Sequence, residues 1–208
     1  MSLSITPTAA TEWPALIVVA GRPGSGKGTQ CAQIAADLGV AHFSLGEALR
    51  QEVDERTQLG LRVHPFLGAG RLVPDHFVFE LIGARLARQD APAVLLDGFP
   101  RTLGQAEMLE LVEPGAVALA LLLAVPLPIV VERLRSRGRA DDDEYALRER
   151  LASFERETRP MLAWYERRGV LASVDANRPQ ADVTVAVETL VGQFLAAVRQ
   201  PAGHLQSR

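Results

Sequence analysis

Residues Ala15-Leu-Ile-Val-Val-Ala20 form a short unbroken apolar run, followed at once by Gly21-Arg-Pro-Gly-Ser-Gly-Lys27-Gly-Thr29. A continuous apolar run of this length fits a parallel strand buried on both faces. From Lys27 to Leu38 the apolar positions Cys31, Ile34, Ala35 and Leu38 recur at helical spacing, and Gly39 ends the helix. Strand, glycine-rich turn and helix thus follow one another directly, the context required of a phosphate-binding P-loop. Glycines let backbone N–H groups converge on phosphate oxygens, and the helix N-terminus adds a favourable dipole. On this reading Gly24, Ser25, Gly26, Lys27, Gly28 and Thr29 bind nucleotide phosphates, with Lys27 reaching the β and γ phosphates. The run departs from the strict form, because Gly28 stands where Ser or Thr is expected and the hydroxyl follows at Thr29. A purely structural glycine turn is the competing reading.

Lys27 is the only lysine among 22 basic residues. A GC-rich coding bias accounts for the arginine excess but not for where the one lysine sits. A compact ammonium on a flexible stem is not replaceable by a guanidinium, so the position is informative. The chain has 208 residues, 48% hydrophobic and 23% charged, which fits one globular domain and excludes disorder, a collagen-like chain and a disulfide scaffold. A net charge of −3 gives no global attraction for nucleic acid or an anionic membrane. The single cysteine, Cys31, excludes internal disulfides and a Cys₄ zinc site, reads as an inert core residue, and suits a reducing cytosol. The four histidines show no ligand pairing, so no structural zinc is expected.

The first fourteen residues read as a flexible tail without a signal sequence. The longest apolar run, Ala116 to Val131, has 16 residues and is broken by Pro126 and Pro128. A spanning helix needs roughly 20, so no membrane segment is expected. Further strands are predicted over Val40 to Phe43, Ala93 to Asp97, Val117 to Val125 and Val170 to Val174. Helices are predicted from Pro74 to Gln89, from about Thr102, from Pro128 to Arg137, from Asp143 to Arg168 with a break or bend at Pro160, and from Pro179 to Val198. This alternation predicts a doubly wound α/β fold, a P-loop sheet of five parallel strands with flanking helices. Residues 15–43 and 75–200 would form its core. Residues 44–74, helical and polar with weak helix ends at Gly60 and around Gly68, break the rhythm and read as a helical insertion.

Three runs together resemble the nucleoside monophosphate kinases of the adenylate kinase type. Gly21 to Gln30 matches the family's Gly-x-Pro-Gly-x-Gly-Lys-Gly-Thr-Gln. Asp97-Gly98-Phe99-Pro100-Arg101 matches Asp-Gly-Phe-Pro-Arg, and Arg139, Asp141, Asp142 and Arg150 match Arg-x-Asp-Asp followed by Arg. The resemblance runs from about Ala15 to Val198 with the motifs in family order. It implies that Lys27, Arg101, Arg137, Arg139 and Arg150 are catalytic, and that Arg133, Arg137 and Arg178 join the P-loop in binding ATP. Phosphoryl transfer needs positioning and neutralisation of spread charge, and forked guanidiniums suit phosphate oxygens. Arg133 and Arg137 are four apart and share a helix face, whereas Arg135 faces elsewhere. Asp97, at a strand end beside the P-loop, would hold the water shell of the Mg²⁺ that accompanies ATP, with Thr29 as the hydroxyl partner. A turn or helix-cap aspartate is the plainer reading of Asp97.

The resemblance also makes the insertion of residues 44–74 the monophosphate-binding part. Leu45, Arg50, Arg71, Leu72, Val73, Gly98, Arg101, Gln105, Arg139 and Arg150 would bind AMP, with Arg50 on its phosphate and Gln105 at the adenine edge. Pyrimidine-specific relatives carry Asn at the Gln105 position. Leu45 departs from the family, which has a threonine or alanine there, and it removes a hydroxyl that could contact the base. Only three residues separate Arg137 from Asp141, so the lid, residues 137–143, is the short type, with Gly138 as its hinge. Asp141 and Asp142 would hold lid arginines by salt bridges, or simply complement a helix N-terminus.

The expected activity is transfer of the γ-phosphoryl of MgATP to a nucleoside monophosphate, foremost AMP, by a cytoplasmic monomer. UMP or CMP as acceptor is the nearest alternative. A catalytically silent P-loop protein is a second, and an ATP-dependent nucleic-acid protein is disfavoured by charge and scarce aromatics.

Overall fold

The computed structural model describes residues 14–86, 90–112, 115, 117–137 and 144–199. Five strands, β1 (Ala15–Ala20), β2 (Ala41–Ser44), β3 (Ala93–Asp97), β4 (Val117–Ala124) and β5 (Leu171–Asp175), form one sheet in the order β2-β3-β1-β4-β5. Every pairing is parallel. The helices are α1 (Lys27–Leu38), α2 (Leu45–Asp54), α3 (Gln58–Gly68), α4 (Asp75–Leu86), α5 (Leu103–Val112), α6 (Leu127–Arg137), α7 (Glu144–Ser153), α8 (Arg159–Arg167) and α9 (Gln180–Arg199).

The unbroken apolar strands follow from burial on both faces. Leu16, Val18 and Ala20 of β1 point into one core with Val94 and Leu96, beneath α2, α4, α5 and α8. Ile17 and Val19 point into the other with Leu95, Leu119 and Leu121, beneath α1, α6 and α9. Alternation along a strand sends successive side chains to opposite faces, so a strand covered twice has no place for a polar residue. Helix α9 is long and apolar enough to cross a membrane by length and composition, with mean hydropathy 1.5 over Gln180–Val198. The apolar stretch of residues 117–131 is divided between β4 and α6, as its breaks at Pro126 and Pro128 lead one to expect. Val183, Val187, Val191, Phe194 and Leu195 of α9 pack into the second core.

Two boundaries differ from the sequence reading. The insertion breaks at residues 55–57 rather than at Gly60: Arg56 adopts φ +52° and the Thr57 hydroxyl accepts from the Gly60 N–H at 2.9 Å, capping α3. Gly60 lies inside α3 because α3 crosses α2 there without room for a side chain. A Cβ at Gly60 would stand 1.9 Å from the Glu52 carbonyl oxygen. The long helix expected over 143–168 is divided by a π-helical segment, Phe154–Thr158, in which the Arg159 N–H reaches back to the Phe154 carbonyl. Pro160 follows at the start of α8. Its missing N–H cannot serve the carbonyl four residues earlier, and the wider turn lies just ahead of it.

Gly60→Ala is expected to cost about 1–3 kcal/mol by overpacking against backbone. Gly83→Ala, whose Cβ in α4 meets open space, is expected to add about 0.5–1 kcal/mol. Thermal melts of the two variants should move in opposite directions.

Candidate active site

In a parallel sheet the natural crevice lies beyond the carboxyl ends of the strands where successive crossovers diverge. Here that point is β1, flanked by β3 on one edge and β4 on the other. A cleft of about 380 Å³ opens there, walled by the β1–α1 loop, the start of α2, the Gly70–Val73 segment, the Asp97–Arg101 turn and the π-helical segment.

The loop side is built to receive an anion. Helix α1 begins after Gly26 (φ +93°) with no side-chain cap and no acidic residue in its first turn. Its first N–H groups, which have no intrahelical partner, are oriented to suit an anion. Lys27 Nζ donates to the carbonyls of Gly21 at 2.9 Å and Arg22 at 3.1 Å, folding the ammonium along the loop. Gly24, Gly26, Lys27, Gly28 and Thr29 line the cleft; Ser25 is buried beneath the loop, its N–H donating to the Arg22 carbonyl at 3.1 Å. Arg133 also lines the cleft, its Nη2 donating to the Ala176 carbonyl at 3.3 Å, whereas Arg135 is exposed. Arg178 is not among the lining residues; it is exposed and its Nε donates to the Asp175 carbonyl.

The opposite side concentrates positive charge. Arg50, Arg71, Arg101 and Arg150 line it together with the carboxylates of Asp97 and Glu47. Burial lowers the pKa of Arg101, and the Arg150 and Arg50 charges push the same way while Asp97 opposes them. Like charges held together in a partly desolvated cleft are costly unless an anion joins them. Arg101 Nε is held by the Gly98 carbonyl at 2.9 Å, and the Arg101 carbonyl accepts from the Thr158 hydroxyl at 2.8 Å. Leu45, Leu72, Val73, Gly98 and Gln105 complete this wall. Leu45 is buried in the core beside Ala48 and Leu49 and brings no polar atom.

Asp97 ends β3 in register with Val19 of β1. Its Oδ2 lies 3.5 Å from the Ser44 hydroxyl and 3.5 Å from where a Cβ would stand on Gly28. Carboxylate and Thr29 thus face one cleft, and no group of three or more acidic, histidine or cysteine ligands occurs among the described residues. One carboxylate and one hydroxyl suit an ion that keeps most of its waters, as Mg²⁺ does. Cys31 is buried, and its thiol is pushed well above its ordinary range by burial first and by Asp97 second, leaving it without thiolate character.

Sequence reasoning missed the π-helical segment as a wall. Ser153, Phe154 and Thr158 line the cleft. Glu155 binds Arg22 of the P-loop: Nη2 lies 2.7 Å and Nε 3.2 Å from Glu155 Oε1. Arg22 Nη1 donates to the Val125 carbonyl at 3.2 Å, and its guanidinium lies 5.4 Å from the Phe154 ring centroid. No local pattern announces a pair 133 residues apart. The expected lid residues Gly138, Arg139, Asp141 and Asp142, and the side chain of Arg137, lie outside the described residues.

The model of the adenylate kinase family matches residues 19–170. The chain is 42% identical over 179 residues to adenylate kinase 1 of Synechocystis, covering 84% of this chain and 96% of the relative. It is 40% identical over 183 residues to the adenylate kinase of Thermus thermophilus, covering 85% and 96%. Against the adenylate kinase of Mycobacteroides abscessus the figure is 41% over 164 residues, covering 77% and 90%.

The hydrogen bond from Arg22, aided by the charges of Arg22 and Arg159 and opposed by burial, holds the Glu155 carboxyl below its ordinary value of 4.5. A depressed folded-state value means the contribution is complete above about pH 4.5 and is lost as pH falls through the folded value. With both partners partly exposed, Glu155→Gln is expected to cost no more than about 1 kcal/mol at neutral pH. Urea melts should show this gap closing in acid; a gap independent of pH would exclude the charge as its cause.

Proposed function

The chain belongs to the adenylate kinase family, and we propose that it moves the γ-phosphoryl group of MgATP to AMP, giving two ADP. The observation that carries the reading is the confrontation, across one cleft, of an uncapped helix start bearing Lys27 with the Arg50, Arg101 and Arg150 cluster. The first is suited to the donor's β and γ phosphates and the second to the acceptor's phosphate. An acceptor phosphate oxygen attacks the γ phosphorus while its bond to the β–γ bridging oxygen breaks. The protein's task is to hold the two in line and neutralise spread charge.

In this scheme the loop N–H groups of Gly24 to Thr29 and Lys27 hold the donor, with Arg133 beside them. Arg50 grips the acceptor, and Arg101 and Arg150 lie between the two. By the family resemblance Arg137 and Arg139 would join from a short lid of residues 137–143, where Asp141 and Asp142 would hold lid arginines or complement a helix N-terminus. Residues 138–143 lie outside the described residues. Exclusion of water there would protect the phosphoryl group from hydrolysis. Asp97 and Thr29 would hold the hydrated Mg²⁺ carried by ATP, which supplies further charge neutralisation at the β and γ phosphates. Residues 44–74 are the acceptor-binding part, with Arg71, Leu72 and Val73 beside the base. Gln105 is the amide that addresses the base edge, since Leu45 offers none. One chain supplies both phosphate sites, so a monomer suffices, and a buried unreactive Cys31 accords with a cytosolic enzyme.

Lys27→Met is expected to lower kcat by about 10³-fold with the thermal melt unchanged; an undiminished kcat would overturn the donor-loop assignment. Product formation from MgATP with AMP, dAMP, CMP, UMP and GMP, separated by chromatography, should be dominated by AMP. Turnover chiefly with CMP or UMP would keep the reaction and replace the acceptor.

A further inference from the structure

Gln105 is 2% exposed yet forms part of the cleft wall. Three hydrogen bonds engage it. Its backbone N–H donates to the Thr102 hydroxyl at 3.1 Å, its Oε1 accepts from the Arg101 N–H at 2.7 Å, and its Nε2 donates to Asp75 Oδ1 at 2.7 Å. The first two form a variant of the capping box at the start of α5, reaching the N–H one residue before the cap. The third has no part in capping. It reaches 30 residues back along the chain to the first turn of α4.

An amide carries an acceptor at one end and a donor at the other, on a nearly symmetric shape. Turned over, the Gln105 amide would set its Nε2 against the Arg101 N–H and its Oε1 against the Asp75 carboxylate. Donor would meet donor and acceptor would meet acceptor. The two partners therefore permit a single polarity. What remains for a ligand is one Nε2 hydrogen and one Oε1 lone pair, in fixed order.

Purines differ in that same order. At position 6 adenine presents an amino donor, and its ring N1 beside it accepts; hypoxanthine and guanine present a 6-oxo acceptor beside an N1–H donor. For a purine held in one pose, an amide of fixed polarity matches one kind and opposes the other. We propose that Asp75 is a positioning residue for acceptor choice: it holds the Gln105 amide in one polarity and so makes the site select 6-amino over 6-oxo purine monophosphates. Asp75 is not among the residues lining the cleft, so it acts through Gln105. The proposal rests on the reading of Gln105 as the amide that addresses the base.

The test measures kcat/KM for AMP and IMP at saturating MgATP in wild type, Asp75→Asn, Asp75→Glu and Gln105→Ala. IMP differs from AMP at position 6 and N1 alone. The asparagine amide can meet either end of Gln105, so Asp75→Asn is expected to lower the AMP/IMP ratio by about fivefold, through a higher KM for AMP. The KM for MgATP should stay at the wild-type value, and Asp75→Glu, which still only accepts, should restore part of the ratio. Should Asp75→Asn fail to fold, Asp75→Ser, which keeps a helix-start residue, takes its place with the same expectation. A ratio within twofold of wild type in a folded variant overturns the proposal, as does an equal rise in the KM for MgATP. Gln105→Ala separates the two levels. If it leaves the ratio unchanged, the base-facing reading fails and the proposal with it. If it collapses the ratio while Asp75→Asn does not, only the polarity mechanism fails.

Discussion

The phosphate-facing side of this molecule depends on the burial of β1. A strand with core on both faces and a parallel neighbour on both edges cannot shift along its axis without dragging the whole sheet. Its carboxyl end is therefore among the best-fixed points in the chain. The Gly21–Gly26 loop springs from that end, and the neighbouring strand β3 delivers Asp97 in register beside it. The precision with which backbone N–H groups and a lysine can be offered to a phosphate comes from side chains such as Ile17 and Val18, which never approach a ligand.

Charge is arranged against that frame. Arginines from α2, the Asp97–Arg101 turn and α7 share one cleft with Asp97 and Glu47, an arrangement suited to receiving polyanions. Guanidiniums suit this role because they keep their charge even when burial works against it. The donor loop instead uses an ammonium, a point charge compact enough to fold back on the loop's own carbonyls.

What could be read from sequence, and what could not, divides along the same physical line. The central strands β1, β3 and β4 were legible because burial on two faces leaves a continuous apolar run, and the donor loop because its geometry is local to nine consecutive residues. The break in the insertion was misplaced to Gly60. A glycine in a helical pattern is ambiguous between a stop and a crossing point, and only the neighbouring Glu52 backbone decides. Pro160 marked a disturbance but not its form. Arg22 with Glu155, Thr158 with Arg101, and Asp75 with Gln105 were invisible. Each involves a side chain that ordinary surface composition would explain equally well, across 30 to 133 residues of chain. The positions that resemblance assigned to phosphate mostly came together in one cleft, while Arg178 and the Ser25 side chain stand apart from it.

The π-helical segment acts as a spacer between the two sides of the cleft. Glu155 holds the donor loop, and Thr158, three residues on, holds the Arg101 carbonyl on the acceptor side. The two grips share one turn of helix, so their angular separation is set by the pitch of that turn. Removing one residue between them would restore ordinary α-helical winding but swing one grip about 100° round the axis relative to the other. This stretch should therefore tolerate changes of side chain far better than changes of length. A single-residue deletion there would put the two sides of the cleft out of phase without altering the β1–α1 loop or the Asp97–Arg101 turn in sequence.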